Sequence, residues 1–207
     1  ASNDNKVLYD FFQTGTYDKN REFVLTTSPS MDILISSNLE RLIYLICGED
    51  SEKTKELMEE LKTTGKYTIT PEMKEKLADF AAGYSTEEET KETIGGTYKS
   101  TGYVMDTHTA VAAHVSRAYR DASKDQKKML VASTASPYKF ARSVMTAIDE
   151  KYDELEEFAL IDELEKVSGV AIPNAIEEIR NAQIRHTKEC DADKMKETVK
   201  EILGVEE

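Results

Sequence analysis

Apolar positions recur along most of this chain at the helical period. Val7, Leu8, Phe11 and Phe12 share one face of a helix over residues 4–13, and Gly15 stands just past its end as a stop. Leu39, Leu42, Ile43 and Ile46 mark a second helix, which Ser37 and Glu40 open at capping-box spacing. Leu57, Met58 and Leu61 point inward on a third, over 51–65, that ends at Gly65. Thr70-Pro71 opens another, because proline is tolerated at the first helical position. Ser85 and Glu88 repeat the capping-box spacing, and Asp106 caps a helix carrying Ala110, Val111, Val115 and Ala118. Only Phe-Val-Leu within 22–26 and Met-Leu-Val-Ala over 129–132 read as strands. The second ends in small hydroxyl residues and turns through Ser136 and Pro137 into a helix over 137–148. The remaining apolar positions, Leu160, Leu164 and Val167, then Ile176 and Ile179, then Met195, Val199, Ile202 and Leu203, predict a helical tail. The pattern shows no internal repeat and no low-complexity segment.

A chain of 207 residues holds one domain with a sizeable core, or one domain and an appendage. The net charge of −13 argues against nucleic acid, whose phosphates call for clustered Lys and Arg. Residues 149–207 carry 8 Lys and Arg against 18 Asp and Glu, so −10 of that charge lies in the tail, as on a solvated helical surface. The apolar run 42–47 is too short to span a membrane. Cys47 and Cys190 give no disulfide framework, which fits a reducing cytoplasm, and Cys47 reads as a small buried hydrophobe. His186 and Cys190 have i, i+4 spacing but no second ligand pair, so no metal site is expected. His108, just after the cap, reads as a hydrogen-bonded structural residue or as a polar group near a ligand; His114 falls on another face.

Candidate chemistry concentrates at the strand-to-helix turn after residue 132. In open α/β sheets, ligands bind outside the carboxyl ends of strands at such turns. Ser133 and Thr134 offer neutral hydroxyls there. Lys139 lies in the first helical turn, against the helix dipole; a facing anion, held also by free backbone N–H groups, would account for it, and an ordinary solvated lysine is the competing account. A second polar cluster comprises the Ser28-Pro29-Ser30 turn, Asp32, Asn38 and Arg41. The Arg41 guanidinium can grip a phosphate or carboxylate through two bonds; helix capping with a surface ion pair is the competing account.

The segment Ser-Thr-Ala-Ser-Pro-Tyr-Lys-Phe, 133–140, resembles the S-T-A-x-P-x-K-F segment of threonine synthases of the bacterial and fungal type. Residues 2–8 are similar to that family's strand-to-helix turn after its phosphate-binding loop. Residues 27–41 resemble its S-P-S-M-D-I loop and following helix, and 106–111 its D-x-H-T-A-V helix start. These four segments run in family order across most of 1–150.

The resemblance implies an α/β fold: a helix-rich piece of the large domain of a fold-type II pyridoxal-phosphate (PLP) enzyme, with a few sheet strands and a helical carboxyl-terminal extension. Residues 1–148 would be the later half of the cofactor domain and 149–207 the acidic extension. It implies Thr134, with Ser133 as the adjacent alternative, at the pyridine nitrogen of PLP, and Lys139, Arg41 and Asp32 toward the substrate. The reaction implied is conversion of O-phosphohomoserine and water to L-threonine and phosphate, with PLP stabilising negative charge at Cα and then Cβ. The family's cofactor-bearing lysine and glycine-rich phosphate loops belong to its earlier half. Here the only Gly pair, Gly95-Gly96, sits between helical stretches with no strand before it, and the chain starts in mid-motif without Met. The expectation is therefore a fragment with no catalytic residue of its own, inactive alone, whose open sheet edge could pair with a second copy. Another fold-type II PLP enzyme, or a helical interaction module that reuses the domain, are the alternatives.

Overall fold

Two glycines organise the amino-terminal part of the chain, for which a computed structural model describes residues 1–205. Helix α1 (Val7–Thr14) ends at Gly15 with φ 80°, and α3 (Ser51–Thr64) ends at Gly65 with φ 84°. Glycine reaches this left-handed conformation at no steric cost. Each helix is followed at once by a three-residue strand, β1 (Thr16–Asp18) and β2 (Lys66–Thr68), and the two strands pair antiparallel with Tyr17 opposite Tyr67. Thr-Gly-x-Tyr thus occurs twice, at 14–17 and 64–67, and the copies interact reciprocally. Ile69 N donates to Gly15 O and Lys19 N to Gly65 O, both at 2.9 Å. Thr14 and Thr64 each return a hydroxyl to the preceding helix, on Asp10 O and Glu60 O. The sequence contains a short internal repeat after all, and it is what builds the sheet.

Helix α2 (Leu39–Ile46) packs on α3, and α4 (Pro71–Glu75) starts at a Thr70 cap. Val7, Phe11, Tyr17, Ile43, Leu57, Leu61 and Tyr67 form the first core. A second layer follows: α5 (Glu87–Thr101), α6 (Thr107–Ser123), α7 (Ala141–Ile148) and α8 (Glu157–Ser168). Helix α5 packs on α6 and α7, and α7 on α8; Ile94, Val111, Val144, Met145, Leu160 and Leu164 are buried here. Residues 1–172 form one compact unit. Residues 173–207 form another, with α9 (Asn174–Arg180) and α10 (Met195–Leu203) among the described residues. No helix of the described residues is long and apolar enough to cross a membrane.

Several local expectations are corrected. Residues 22–26 form no strand, because the Asn5 side chain occupies the backbone groups a ladder would use: it accepts from Val24 N at 3.0 Å and donates to Val24 O at 2.8 Å. Residues 129–132 are not paired either, and Leu130 is 98% exposed. The Gly pair lies inside α5, not between helices. The capping box belongs to Thr86 and Glu89, one residue later than Ser85 and Glu88, while α2 starts at Asn38 with no side-chain cap, so Ser37 and Glu40 form no box. Residues 186–190 lie outside any helix, so His186 and Cys190 share no helical face, and no metal-binding cluster exists among the described residues.

Candidate functional site

The turn at 133–140 is held from beneath by the start of α6. Asp106 caps that helix, accepting from His108 N at 2.9 Å and Thr109 N at 3.2 Å, and also receives the Thr109 hydroxyl. The Thr109 hydroxyl reaches Ser133 Oγ at 2.8 Å. Beyond Ser133, Ser136 caps a 3-10 turn, Pro137–Phe140, by accepting from Tyr138 N. Tyr138 is buried, donates its hydroxyl to Val170 O, and is pushed above the ordinary tyrosine range by that burial. The turn is therefore pinned on both sides of Thr134.

Thr134 itself is exposed, and its hydroxyl makes no hydrogen bond within the described residues. Ser133 is also exposed, but its hydroxyl is engaged by Thr109. A ligand arriving at this turn finds one free neutral hydroxyl and one already committed. Lys139 is exposed, with Nζ 5.4 Å from the centre of the Phe140 ring.

The loop at 26–32 is built around Asp32. One carboxylate oxygen lies 2.7 Å from both Asn3 Nδ2 and Thr26 Oγ1 and 3.1 Å from Asn5 Nδ2; the other accepts from Thr26 N at 2.9 Å. Buried Asn3 also reaches Thr26 Oγ1 and Ser28 Oγ, at 2.9 and 3.1 Å. A half-buried carboxylate stays favourable when its lone pairs are met in this way. The resemblance implied Asp32 toward the substrate; in the structure one of its oxygens holds Asn3, Asn5 and the Thr26 hydroxyl and the other Thr26 N. Arg41 is exposed at the start of α2, with Nη2 bonded to Asn38 Oδ1 at 2.9 Å.

The structure joins two of the clusters through a residue that sequence reasoning left undecided. The Ser30 N–H donates to His108 Nε2 at 3.1 Å, and the imidazole packs on Phe140 with ring centres 4.7 Å apart. Asp32 and Ser133 thus belong to one connected polar framework, whereas no bond among the described residues links Arg41 to it. Asn3 and Asn5 were missed as site residues. Their signal was the Ser-Asn-Asp-Asn run directly before a helix, where short amides favour local backbone bonding.

The chain is similar to known proteins. Residues 109–201 match the family model "Threonine synthase, C-terminal". Threonine synthase of Saccharomyces cerevisiae is 33% identical over 99% of this chain and 41% of its own length. Threonine synthase-like 1 of Macaca fascicularis is 41% identical over 73% of this chain and 20% of its own length. The chain therefore spans between a fifth and about two fifths of these relatives. The crystal structure of threonine synthase from yeast matches 99% of the chain with a TM-score of 0.78 at 28% identity, and covers it with 41% of its own length. A PLP-bound threonine synthase from Brucella melitensis matches 82% of the chain, with 40% of its own, at a TM-score of 0.65 and 32% identity.

The fold, helix-rich with a small sheet, thus matches a part of threonine synthases, which are fold-type II PLP enzymes. More narrowly, residues 109–201 carry a threonine synthase carboxyl-terminal domain, and the chain as a whole is similar to the carboxyl-terminal portion of threonine synthases. The residues at the 133–140 turn suit one part of the cofactor: a pyridine nitrogen needs a single hydrogen-bond partner, and Thr134 has its hydroxyl free.

Proposed function

We propose that this chain is the ring-nitrogen and substrate-loop portion of a threonine synthase, a PLP-dependent lyase that converts O-phosphohomoserine and water to L-threonine and phosphate. The observation that carries the reading is the free hydroxyl of Thr134 on a turn pinned by Ser133 and Tyr138. PLP supplies the electron sink for the chemistry. Thr134 would present a neutral hydroxyl to the ring nitrogen of bound PLP, and Ser133, held by Thr109, fixes where Thr134 stands. Lys139 and Arg41, both exposed, are assigned to the anionic groups of the substrate. Asp32 shapes the loop that carries the substrate contacts. Residues 1–148 provide this portion of the cofactor domain and 149–207 an acidic extension.

An apolar groove of about 650 Å³ supports the view that further protein completes the enzyme; Ala112, Val115, Tyr119, Met129 and Leu130 line it. In the isolated chain the same face is open to self-association. The 41% identity to threonine synthase-like 1 over 73% of this chain supports a second reading, another fold-type II PLP enzyme.

The test is turnover of O-phosphohomoserine by the complete protein, by its Thr134→Ala and Thr134→Asp variants, and by the 207-residue chain alone. The expected result is threonine from the complete protein, lowered turnover and an altered cofactor spectrum in both variants, and none from the chain alone. Activity of the chain alone would end the fragment reading. A variant indistinguishable from the parent would end the role of Thr134, and bound cofactor with no threonine formed would favour the second reading.

A further inference from the structure

Among the described residues, His108 is the one side chain that joins the 26–32 loop to the framework under the 133–140 turn. Because its Nε2 accepts the Ser30 N–H at 3.1 Å, that nitrogen carries a lone pair, and the proton of the ring sits on Nδ1. Nδ1 faces Asp106 Oδ1 and Thr107 Oγ1, each at 3.4 Å. Asp106 then passes the contact through the Thr109 hydroxyl to Ser133. Both ends of this path are stiff: Asp32 gathers the loop into four hydrogen bonds, and Tyr138 anchors the turn.

We infer that His108 is a positioning residue: as the neutral, Nδ1-protonated imidazole it ties the Ser28–Asp32 loop to the turn bearing Ser133 and Thr134, and ring protonation releases the tie. A protonated ring carries N–H at both nitrogens, so Nε2–H would oppose the Ser30 N–H at a distance that suits only a bond. The charged groups on the surrounding elements are Asp106 at the cap of α6, Asp32 in the loop, Glu87 at the start of α5 and Lys139 beyond the Phe140 ring. Asp106 alone among them touches the imidazole; Asp32 is engaged by Thr26, Asn3 and Asn5, and Glu87 accepts from Thr27 N at 2.9 Å.

The tie rests on the threonine synthase reading only for what the loop and turn hold, so it is tested without cofactor or substrate. The experiment uses the full 207-residue chain and measures two quantities between about pH 5 and 8, the range in which histidines titrate. One is the nitrogen-15 shifts of the His108 ring, and the other is the exchange protection factor of the Ser30 amide. The expected result is an Nδ1–H ring at the upper end and a protection factor that falls about tenfold as pH drops. His108→Gln, whose side-chain carbonyl can replace Nε2 as acceptor, should keep the protection and lose its pH dependence. His108→Leu should lose the protection throughout. A proton on Nε2, a wild-type protection factor flat across the range, or His108→Leu protected like wild type would each overturn the inference. If His108→Leu does not fold, the wild-type titration and His108→Gln decide alone. A chain that passes this test while the complete protein fails to make threonine would sink the proposed activity and leave the tie standing.

Discussion

Tyr17 and Tyr67 lie face to face across the two-stranded sheet, with ring centres 5.4 Å apart and planes 7° from parallel. Phe11 completes the cluster at 6.0 and 6.1 Å from the two rings. Burial pushes both phenols above the usual tyrosine range. The Tyr17 hydroxyl is tied to Leu34 O and Ser36 N, whereas that of Tyr67 has no partner within the described residues. A raised folded-state value means that the fold holds the proton more tightly than the unfolded chain does. The contribution is complete below roughly pH 10 and is lost as pH climbs beyond it. Urea midpoints should therefore fall on the alkaline side, and Tyr67→Phe should flatten that fall. An unchanged alkaline slope in the variant would show that the cluster is not its source.

The two adjacent glycines of α5 should respond in opposite ways to alanine. A Cβ on Gly95 would sit 2.5 Å from the backbone oxygen of Ala147, where α5 and α7 touch, while one on Gly96 meets nothing within 4 Å. Gly96→Ala should stabilise the chain by about 0.5–1 kcal/mol through helix propensity. Gly95→Ala gains the same propensity but forces the helices apart, and should cost about 1–3 kcal/mol net. Chemical denaturation of the two variants gives the comparison, and equal shifts would contradict the close approach.

Asp32→Ala strips acceptors from Asn3, Asn5, Thr26 N and the Thr26 hydroxyl together. Leaving buried donors unmet costs about 1–3 kcal/mol each, partly recovered by water in the half-buried loop. A loss of about 3 kcal/mol in unfolding free energy is expected, with faster proteolytic cleavage within 24–32. A loss below about 0.5 kcal/mol, the range of an ordinary surface change, would mean that Asp32 does not organise the loop.

Ser133 and Thr134 are neighbours with different duties, and stability separates them. Ser133→Ala removes the partner of Thr109 and should cost about 1 kcal/mol. Thr134→Ala removes a hydroxyl with no internal bond and should stay within about 0.5 kcal/mol. Denaturation of the chain alone measures both. A large destabilisation by Thr134→Ala would place that hydroxyl in the scaffold instead of at the ligand.

The helices were legible because their ends carry local chemistry. Gly15 and Gly65 terminate α1 and α3, Thr70-Pro71 opens α4, and Asp106 opens α6, each where the sequence put it. Where several residues could serve as caps, the start slipped by one, as from Ser85 to Thr86. The strands were not legible, since three residues are too few to show alternation. The apolar stretches at 22–26 and 129–132 announced hydrophobicity without naming a partner, and Leu25 and Leu130 are 82% and 98% exposed. For the site, the turn around Thr134 could be read from one segment. The Ser30–His108 bond spans 78 positions, and no local pattern encodes a contact of that reach.

The cap of α6 also has a consequence for how this chain can vary. Asp106 serves as helix cap, partner of His108 and receiver of the Thr109 hydroxyl at once. Each task fixes a different residue of the same first turn. One residue inserted or deleted between positions 106 and 109 rotates everything beyond it by about 100°. Loop-length drift is therefore free to accumulate before Asp106 or after Ser123, while this turn keeps its reading frame: the helix is indexed at its first residue, like a key cut from the tip.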